Sequence, residues 1–266
     1  MTAARSSFDD YLDGLGVRQL TPATCPFDPG VAPAVLESHL RQSAHLMLSL
    51  KISMACWMIA DREATRAKLA AARAAGVATN TGGGPYEVAV AQGRLEAYLD
   101  LCAETGFDGI ECGSGFTDAT VGAEEIVSLA AARGLRVEYE LGSKHGGAFD
   151  AGAVEALLEE GRRWLGAGAH RLVIEARESA TAVGLFDEAG ALDLTLAQRF
   201  ADAFGLNLLV FEAPTKPSQF ALLDHFGAEA RLGNVRLDEL LRVEIYRRGL
   251  HSDAFSNPDL RPARRT

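Results

Sequence analysis

One unit of sequence recurs along the chain. An Ala- and Leu-rich helical stretch ends in glycine, and a short β-rich run follows at once. Glycine just past a helix readily adopts the left-handed cap that other residues resist, and the run after it is typical of a strand buried on both faces. Successive units are roughly 30 to 40 residues long, which suits one strand plus one helix. The junctions are Gly76-Val77, Gly106-Phe107, Gly134-Leu135, Gly168-Ala169 and Gly205-Leu206.

Strands that alternate with helices predict an α/β protein with a parallel sheet and right-handed crossovers. Eight units close naturally as a single (β/α)8 TIM barrel, and 266 residues suit one such barrel. We expect the barrel to span residues 1–255 and a flexible tail to span 256–266. An open doubly wound sheet is the alternative, although no G-x-G-x-x-G follows the first strand. The predicted strands cover residues 24–28, 46–53, 77–80, 107–112, 135–140, 171–175, 207–212 and 231–235.

Composition restricts the partners of the chain. The formal net charge of −10 argues against nucleic acid, which needs a basic surface. A small anionic substrate remains compatible, because it needs only a few local cations. The four cysteines show no C-x-x-C pair, and the sequence has neither an apolar signal-peptide core nor a membrane-length apolar run. We therefore expect a cytoplasmic protein without membrane association, and a homo-oligomer whose subunit number the sequence does not reveal.

Charged residues recur at the carboxyl ends of the predicted strands, where barrels of this type place their active sites. Burying one isolated charge is costly, whereas several charges of both signs in one mouth can hold a metal and an anion. The alternative is that these side chains pair with one another across the barrel. The strand-end residues are Asp28, Lys51, Glu111, Glu140, Glu175 and Glu212, and just beyond lie Asp118, Lys144, Arg177, Glu178 and Lys216.

Carboxylates without a His or Cys pattern suit a hard divalent cation, most simply Mg²⁺. We predict Asp28, Glu111 and Glu175 as its ligands, with Glu140 beside them. Basic side chains after the same strands suit phosphate or carboxylate. The glycine run 82–84 forms either an anion-binding nest or a plain flexible loop.

Motifs at these strand ends resemble the phosphosulfolactate synthase family. The resemblance covers roughly residues 28–255, and several motifs in order are more specific than any one of them. The matching stretches are Gly106-Phe107-Asp108-Gly109-Ile110-Glu111, Glu140-Leu141-Gly142-Ser143-Lys144, Ile174-Glu175-Ala176-Arg177-Glu178-Ser179, Gly184-Leu185-Phe186-Asp187, Phe211-Glu212-Ala213-Pro214-Thr215-Lys216 and Tyr246-Arg247-Arg248-Gly249-Leu250.

The resemblance implies a (β/α)8 barrel that adds sulfite to phosphoenolpyruvate in a Mg²⁺-dependent reaction on a route to coenzyme M. Negative charge would develop on the substrate carboxylate, where Mg²⁺ and nearby cations stabilise it. A positioned lysine, most simply Lys144, would protonate the adjacent carbon. On this interpretation the catalytic residues are Lys144, Lys51 and Glu140, and the substrate-binding residues are Arg177, Ser179, Gly82, Gly83, Lys216 and His145.

Three departures from the family pattern touch the predicted pocket. Residues 52–57 replace a Gly-Trp-Gly-Thr-Ser-like stretch, Ser114 replaces an acid, and Ser143-Lys144 replaces a double lysine. They indicate a divergent member with a changed acceptor or nucleophile. Two other interpretations stay open: a catalytically altered relative with a stress-associated or scaffolding role, and a Mg²⁺-dependent barrel isomerase or aldolase.

Overall fold

A computed structural model describes residues 7–117, 120–143 and 145–262. Its eight parallel strands follow one another around a closed barrel in chain order, and β8 pairs with β1 to complete it. This confirms the predicted single (β/α)8 barrel and excludes the open sheet. The strands are β1 (Thr24–Asp28), β2 (Leu50–Ile52), β3 (Thr79–Thr81), β4 (Gly109–Cys112), β5 (Arg136–Leu141), β6 (Arg171–Ile174), β7 (Leu209–Glu212) and β8 (Leu232–Arg236).

Helices connect the strands and surround the barrel. Within the described residues, none combines the length and apolar content needed to cross a membrane. The helices are α1 (Ser7–Gly14), α2 (Pro33–Ser43), α3 (Cys56–Ile59), α4 (Arg62–Ala74), α5 (Gly83–Ala91), α6 (Leu95–Thr105), α7 (Ala123–Ala131), α8 (Ala151–Ala167), α9 (Leu194–Phe204), α10 (Lys216–Phe226) and α11 (Leu240–Arg247).

The helix ends follow from local chemistry. Asp61 caps α4 by accepting a hydrogen bond from the N–H of Ala64 at 2.9 Å, which satisfies one of the unpaired donors of the first turn. Gly106 and Gly168 end α6 and α8 with φ angles of 107° and 104°. These are the left-handed caps that the recurring glycines predict.

Six strands begin or end one or two residues away from their predicted bounds, the second differs more, and the first does not differ. The second was expected over residues 46–53, but β2 is shorter because Ala44–Leu46 forms a 3-10 turn before it. The first matches its predicted bounds, although Pro26 cannot donate to a strand neighbour. The pairing of β1 with β8 shifts register between Thr24 and Pro26, and this irregularity accommodates the missing donor.

The core has two parts because side chains alternate along each strand. In β4, Ile110 and Cys112 are fully buried in the large core that includes the surrounding helices. A smaller apolar cluster of Cys25, Val173 and Val210 forms separately. Cys112 is thus a packing residue, as its place next to Glu111 predicts.

A buried arginine joins the last helix to the first strand. Arg247 of α11 donates to the carbonyls of Ala228 and Ala230, both at 2.6 Å, and to Oγ1 of Thr24 at 3.1 Å. It also donates to Oε1 of Glu244 at 3.1 Å. Because this fully buried charge has several acceptors, its desolvation is offset by charge-assisted hydrogen bonds.

Candidate active site

The carboxyl ends of the strands surround a cavity of about 740 Å³. This is the end of the barrel at which such folds carry their active sites. Eight of the residues predicted from the sequence line the cavity: Lys51, Gly82, Gly83, Glu111, Glu140, Glu175, Arg177 and Ser179. Glu212, expected at this end of the barrel, lines it too, and further lining residues include Ser53, Met54, Gly84, Glu178, Pro214, Asn234 and Arg236.

Three buried glutamates form the centre of the site. Glu111, Glu140 and Glu212 each present one carboxylate oxygen, and these oxygens lie within 4.8 Å of one another. Lys51 is the neighbouring cation, with Nζ 2.7 Å from Oε2 of Glu111 and 3.3 Å from Oε1 of Glu212. Pairing across the barrel and a potential metal site therefore occur in the same cluster.

Backbone donors hold two of these carboxylates in place. Glu111 accepts from the N–H of Gly83 at 3.0 Å, and Glu212 accepts from the N–H of Ala176 at 3.0 Å. Each bond ties a carboxylate to the segment that follows a neighbouring strand. The acidic cluster is consequently fixed by the fold rather than by mobile side chains alone.

The charges change one another's acidity. Burial raises the pKa of Glu212 to about 8; Lys51 opposes this, while Glu175 and Glu111 add to it. Burial alone would lower the pKa of Lys51, but Glu111, Glu212 and Glu140 outweigh it and raise that pKa well above its ordinary value. Lys51 is therefore firmly protonated, and Glu212 holds its proton more strongly than an exposed glutamate.

The cluster suits a hard divalent cation. Among the described lining residues, five glutamates face the cations Lys51, Arg177 and Arg236, an excess of two negative charges when every glutamate, Glu212 included, is ionised. All the clustered donors are carboxylate oxygens, as Mg²⁺ prefers. Glu111, Glu140 and Glu212 are the residues that would hold the ion.

Three residues at the mouth have left-handed backbone conformations that non-glycine residues rarely adopt. Met54, Arg177 and Asn234 have φ angles of 50°, 55° and 51°, and each lines the cavity. Arg177 donates its backbone N–H to Oε1 of Glu175 at 2.6 Å. The side-chain amide of Asn234 donates to Glu212. Such conformations concentrate where a site requires them.

Three predicted residues do not line the cavity. The carboxylate of Asp28 is fully buried, lies 2.6 Å from Nζ of Lys68 and accepts the N–H groups of Gly30 and Val31. The structure therefore does not bring Asp28 into the acidic cluster.

Lys216 pairs with Asp253 at 3.0 Å on the outside of the mouth, and its ammonium lies 5.0 Å from the ring centre of Phe220. His145 is exposed, and its N–H faces Oγ of Ser143 at 3.4 Å. Lys144, the proposed proton donor, lies outside the described residues, as does Asp118.

Sequence reasoning missed Asn234 and Arg236 and left Glu212 out of the metal ligands. Glu212 carried a usable signal, because it ends its strand, while Glu111 and Glu140 each lie one residue before the end of theirs. Arg236 also ends a strand, but the prediction for β8 stopped one residue too early. Asn234 gave no such signal, since its role depends on a left-handed backbone conformation within β8 and on a contact with a residue 22 positions away.

Comparison with solved structures confirms the fold. The carboxyl transferase domain of Rhizobium etli pyruvate carboxylase superposes with a TM-score of 0.58 at 13% identity, over 90% of this chain and 45% of that one. A citrate synthase variant, SbnG, gives a TM-score of 0.52 at 14% identity, over 89% of this chain and 94% of that one. At such identities the similarity concerns the fold alone.

Sequence comparison is more specific. A phosphosulfolactate synthase from Methanocaldococcus jannaschii is 27% identical over 256 residues, which is 96% of this chain and 99% of the relative. One from Bacillus subtilis is 27% identical over 175 residues, 65% of this chain and 69% of the relative. The model of the family described as (2R)-phospho-3-sulfolactate synthase matches residues 20–253. Since this match takes in all eight strands and the whole acidic cluster, the chain belongs to the phosphosulfolactate synthase family.

Proposed function

We propose that this protein is a Mg²⁺-dependent lyase that adds sulfite, or a related sulfur nucleophile, to phosphoenolpyruvate or a similar activated alkene. Membership of the family supports a lyase-type activity. The observation that carries the finer proposal is the cluster of three buried glutamates in a mouth that also contains Arg177 and Arg236. Such a mouth suits a metal and a small anion together.

The acidic and basic groups of the site have different roles. When bound, Mg²⁺ would stabilise negative charge that develops on the substrate carboxylate. Glu111, Glu140 and Glu212 would hold that ion, and Lys51 limits the repulsion among them. Arg177 and Arg236 also line the cavity. A guanidinium binds carboxylate and phosphate groups through paired hydrogen bonds, so these two residues suit the anionic groups of the substrate.

The addition requires one new bond and one proton. The sulfur of the nucleophile bonds to the methylene carbon, and the electron pair of the double bond moves toward the carboxylate. The adjacent carbon then takes a proton, which we assign to Lys144 from its place in the motif Glu140-Leu141-Gly142-Ser143-Lys144. Phosphate stays attached throughout, which balances the reaction as an addition.

The direct test is a product assay. Purified protein is incubated with Mg²⁺, phosphoenolpyruvate and sulfite, and the products are followed by ³¹P NMR and mass spectrometry. We expect an adduct that requires both substrates and disappears with EDTA or in Glu140→Gln. Omission of sulfite is the matched control. Failure of the folded protein to give an adduct with sulfite or thiols, on phosphoenolpyruvate or related enols, would exclude the proposal.

A further inference from the structure

We propose that Glu87 and Ser143 are positioning residues that couple the segments after β4 and β5, and so hold the described residues that flank Lys144 in the sequence. We call residues 113–117 the β4 segment, and the described residues 142–143 and 145–147 the β5 segment. The catalytic meaning of this coupling rests on the proposed function, since Lys144 is the proton donor there. The coupling itself rests on contacts among described residues.

Glu87 binds the β4 segment to α5. This residue of α5 is only 2% exposed, and its Oε2 accepts the N–H groups of Phe116 at 2.8 Å and Thr117 at 3.2 Å. A buried carboxylate is costly unless donors surround it. Two backbone donors on one oxygen therefore fix the β4 segment against α5.

The same helix also contacts the centre of the site. Gly83, the first residue of α5, donates its N–H to Oε1 of Glu111 at 3.0 Å. One rigid element thus sets both the Glu111 carboxylate and the β4 segment. Movement of the β4 segment relative to the acidic cluster requires the loss of the Glu87 bonds.

Ser143 extends this connection to the β5 segment. Its Oγ donates to the carbonyl of Gly115 at 3.1 Å, in the middle of the β4 segment. Its carbonyl accepts the N–H of Gly146 at 3.1 Å. Ser143, which precedes Lys144 in the sequence, is therefore bonded both to the β4 segment and to Gly146.

The contacts form one continuous path from α5 to the residue beside Lys144. General acid catalysis depends on the distance from the acid to the carbon it protonates, and small misplacements reduce the rate strongly. Arg177 follows β6 and Arg236 ends β8, outside the contacts from Glu87 to Ser143, so anion binding should not depend on this path. Loss of Glu87 or Ser143 should consequently lower kcat more than it raises KM.

The kinetic test uses Ser143→Ala, with Ser143→Thr as the conservative variant that keeps a hydroxyl. We expect kcat to fall about tenfold or more in Ser143→Ala with KM within about twofold, and Ser143→Thr to recover most of the loss. Glu87→Ala should act in the same way, and Glu87→Ala/Ser143→Ala should lose less than the product of the two single effects. Additive losses, or a change confined to KM, would overturn the proposal.

A second measurement needs no activity. Hydrogen exchange followed by mass spectrometry should show faster exchange in both the β4 and the β5 segments of Glu87→Ala, while the exposed Glu159→Ala on α8 changes neither. If Glu87→Ala fails to fold, Ser143→Ala replaces it, and a substitution in the β5 segment should then also accelerate exchange in the β4 segment. Acceleration confined to the segment nearest the substitution disproves the coupling. An inactive wild type with coupled exchange would instead refute the proposed function.

Discussion

Nζ of Lys51 lies 2.7 Å from Oε2 of Glu111, and both side chains are shielded beneath the mouth. Removal of the ammonium would leave Glu111 and Glu212 without their neighbouring cation. Breaking such a buried pair costs about 3–5 kcal/mol, so we expect Lys51→Met to lower the free energy of unfolding by this amount without metal at neutral pH. Urea denaturation measures it.

Lys216→Met is the matched control for Lys51→Met. Lys216 also pairs with a carboxylate, but both partners are about half exposed, so its loss should cost much less than the loss of Lys51, because water screens the pair. Added Mg²⁺ should restore part of the stability of Lys51→Met, because the ion supplies positive charge to the same carboxylates. Equal costs in the two variants would show that the Lys51 pair contributes nothing beyond a surface pair.

The stability of the metal-free protein should fall with rising pH because of Glu212. Its pKa rises from an ordinary 4.5 to about 8 on folding, so the folded state binds the proton more tightly than the unfolded state. The stabilisation is therefore complete below about pH 4.5 and is lost as the pH rises through about 8. Each pKa unit corresponds to about 1.4 kcal/mol, so the total change amounts to several kcal/mol.

Glu212→Gln isolates this effect, because the amide does not titrate. We expect the unfolding free energy of the variant, minus that of the wild type, to increase between pH 5 and pH 8.5 in EDTA. Saturating Mg²⁺ should reduce the increase, since metal binding favours the deprotonated carboxylate. Parallel pH curves for the two proteins in EDTA would mean that Glu212 titrates alike in the folded and unfolded states.

Lys144→Ala should lower kcat by about 10²–10⁴-fold, the usual range for a general acid. Arg177→Ala is its control, because an anion-binding residue should mainly raise KM. Steady-state kinetics with phosphoenolpyruvate and sulfite separate the two effects. A Lys144→Ala protein with unchanged kcat/KM removes this lysine from the mechanism.

Gly84 should matter for ligand binding but not for folding. A Cβ at this position would meet Cε1 of Phe116 at 3.9 Å, an ordinary contact, and the backbone φ is not left-handed. Gly84→Ala should therefore fold with equal or slightly greater stability, by up to about 1 kcal/mol. Because Gly84 lines the cavity, the added methyl should raise KM.

Gly82→Ala is the contrasting variant for Gly84→Ala. Its Cβ would lie 2.8 Å from the backbone N of Met54, so the substitution should lower the melting temperature. Both glycines line the cavity, so thermal unfolding and steady-state kinetics on both variants distinguish a glycine that the fold requires from one whose added methyl affects ligand binding alone. An unchanged KM in Gly84→Ala would place the ligand away from this helix end.

Local sequence was sufficient to predict the barrel and most of its mouth. Glu111 and Glu140 lie near the carboxyl ends of strands that alternate with helices, and that regularity identifies one end of the barrel before any contact is known. The ion pair between Asp28 and Lys68 could not be predicted, because Lys68 lies 40 residues away on α4. Whether Lys68 reaches β1 depends on how that helix packs, which the sequence pattern of neither segment specifies.

The pairing of β8 with β1 has a consequence for synthesis on the ribosome. A nascent chain that has not yet emerged as far as residue 232 leaves one side of β1 unpaired, and exposed strand edges invite association with other chains. The acidic cluster would then exist without the wall that contains Asn234 and Arg236. Assembly of a working mouth thus waits for nearly the whole chain, and truncated translation products should be aggregation-prone rather than partly active.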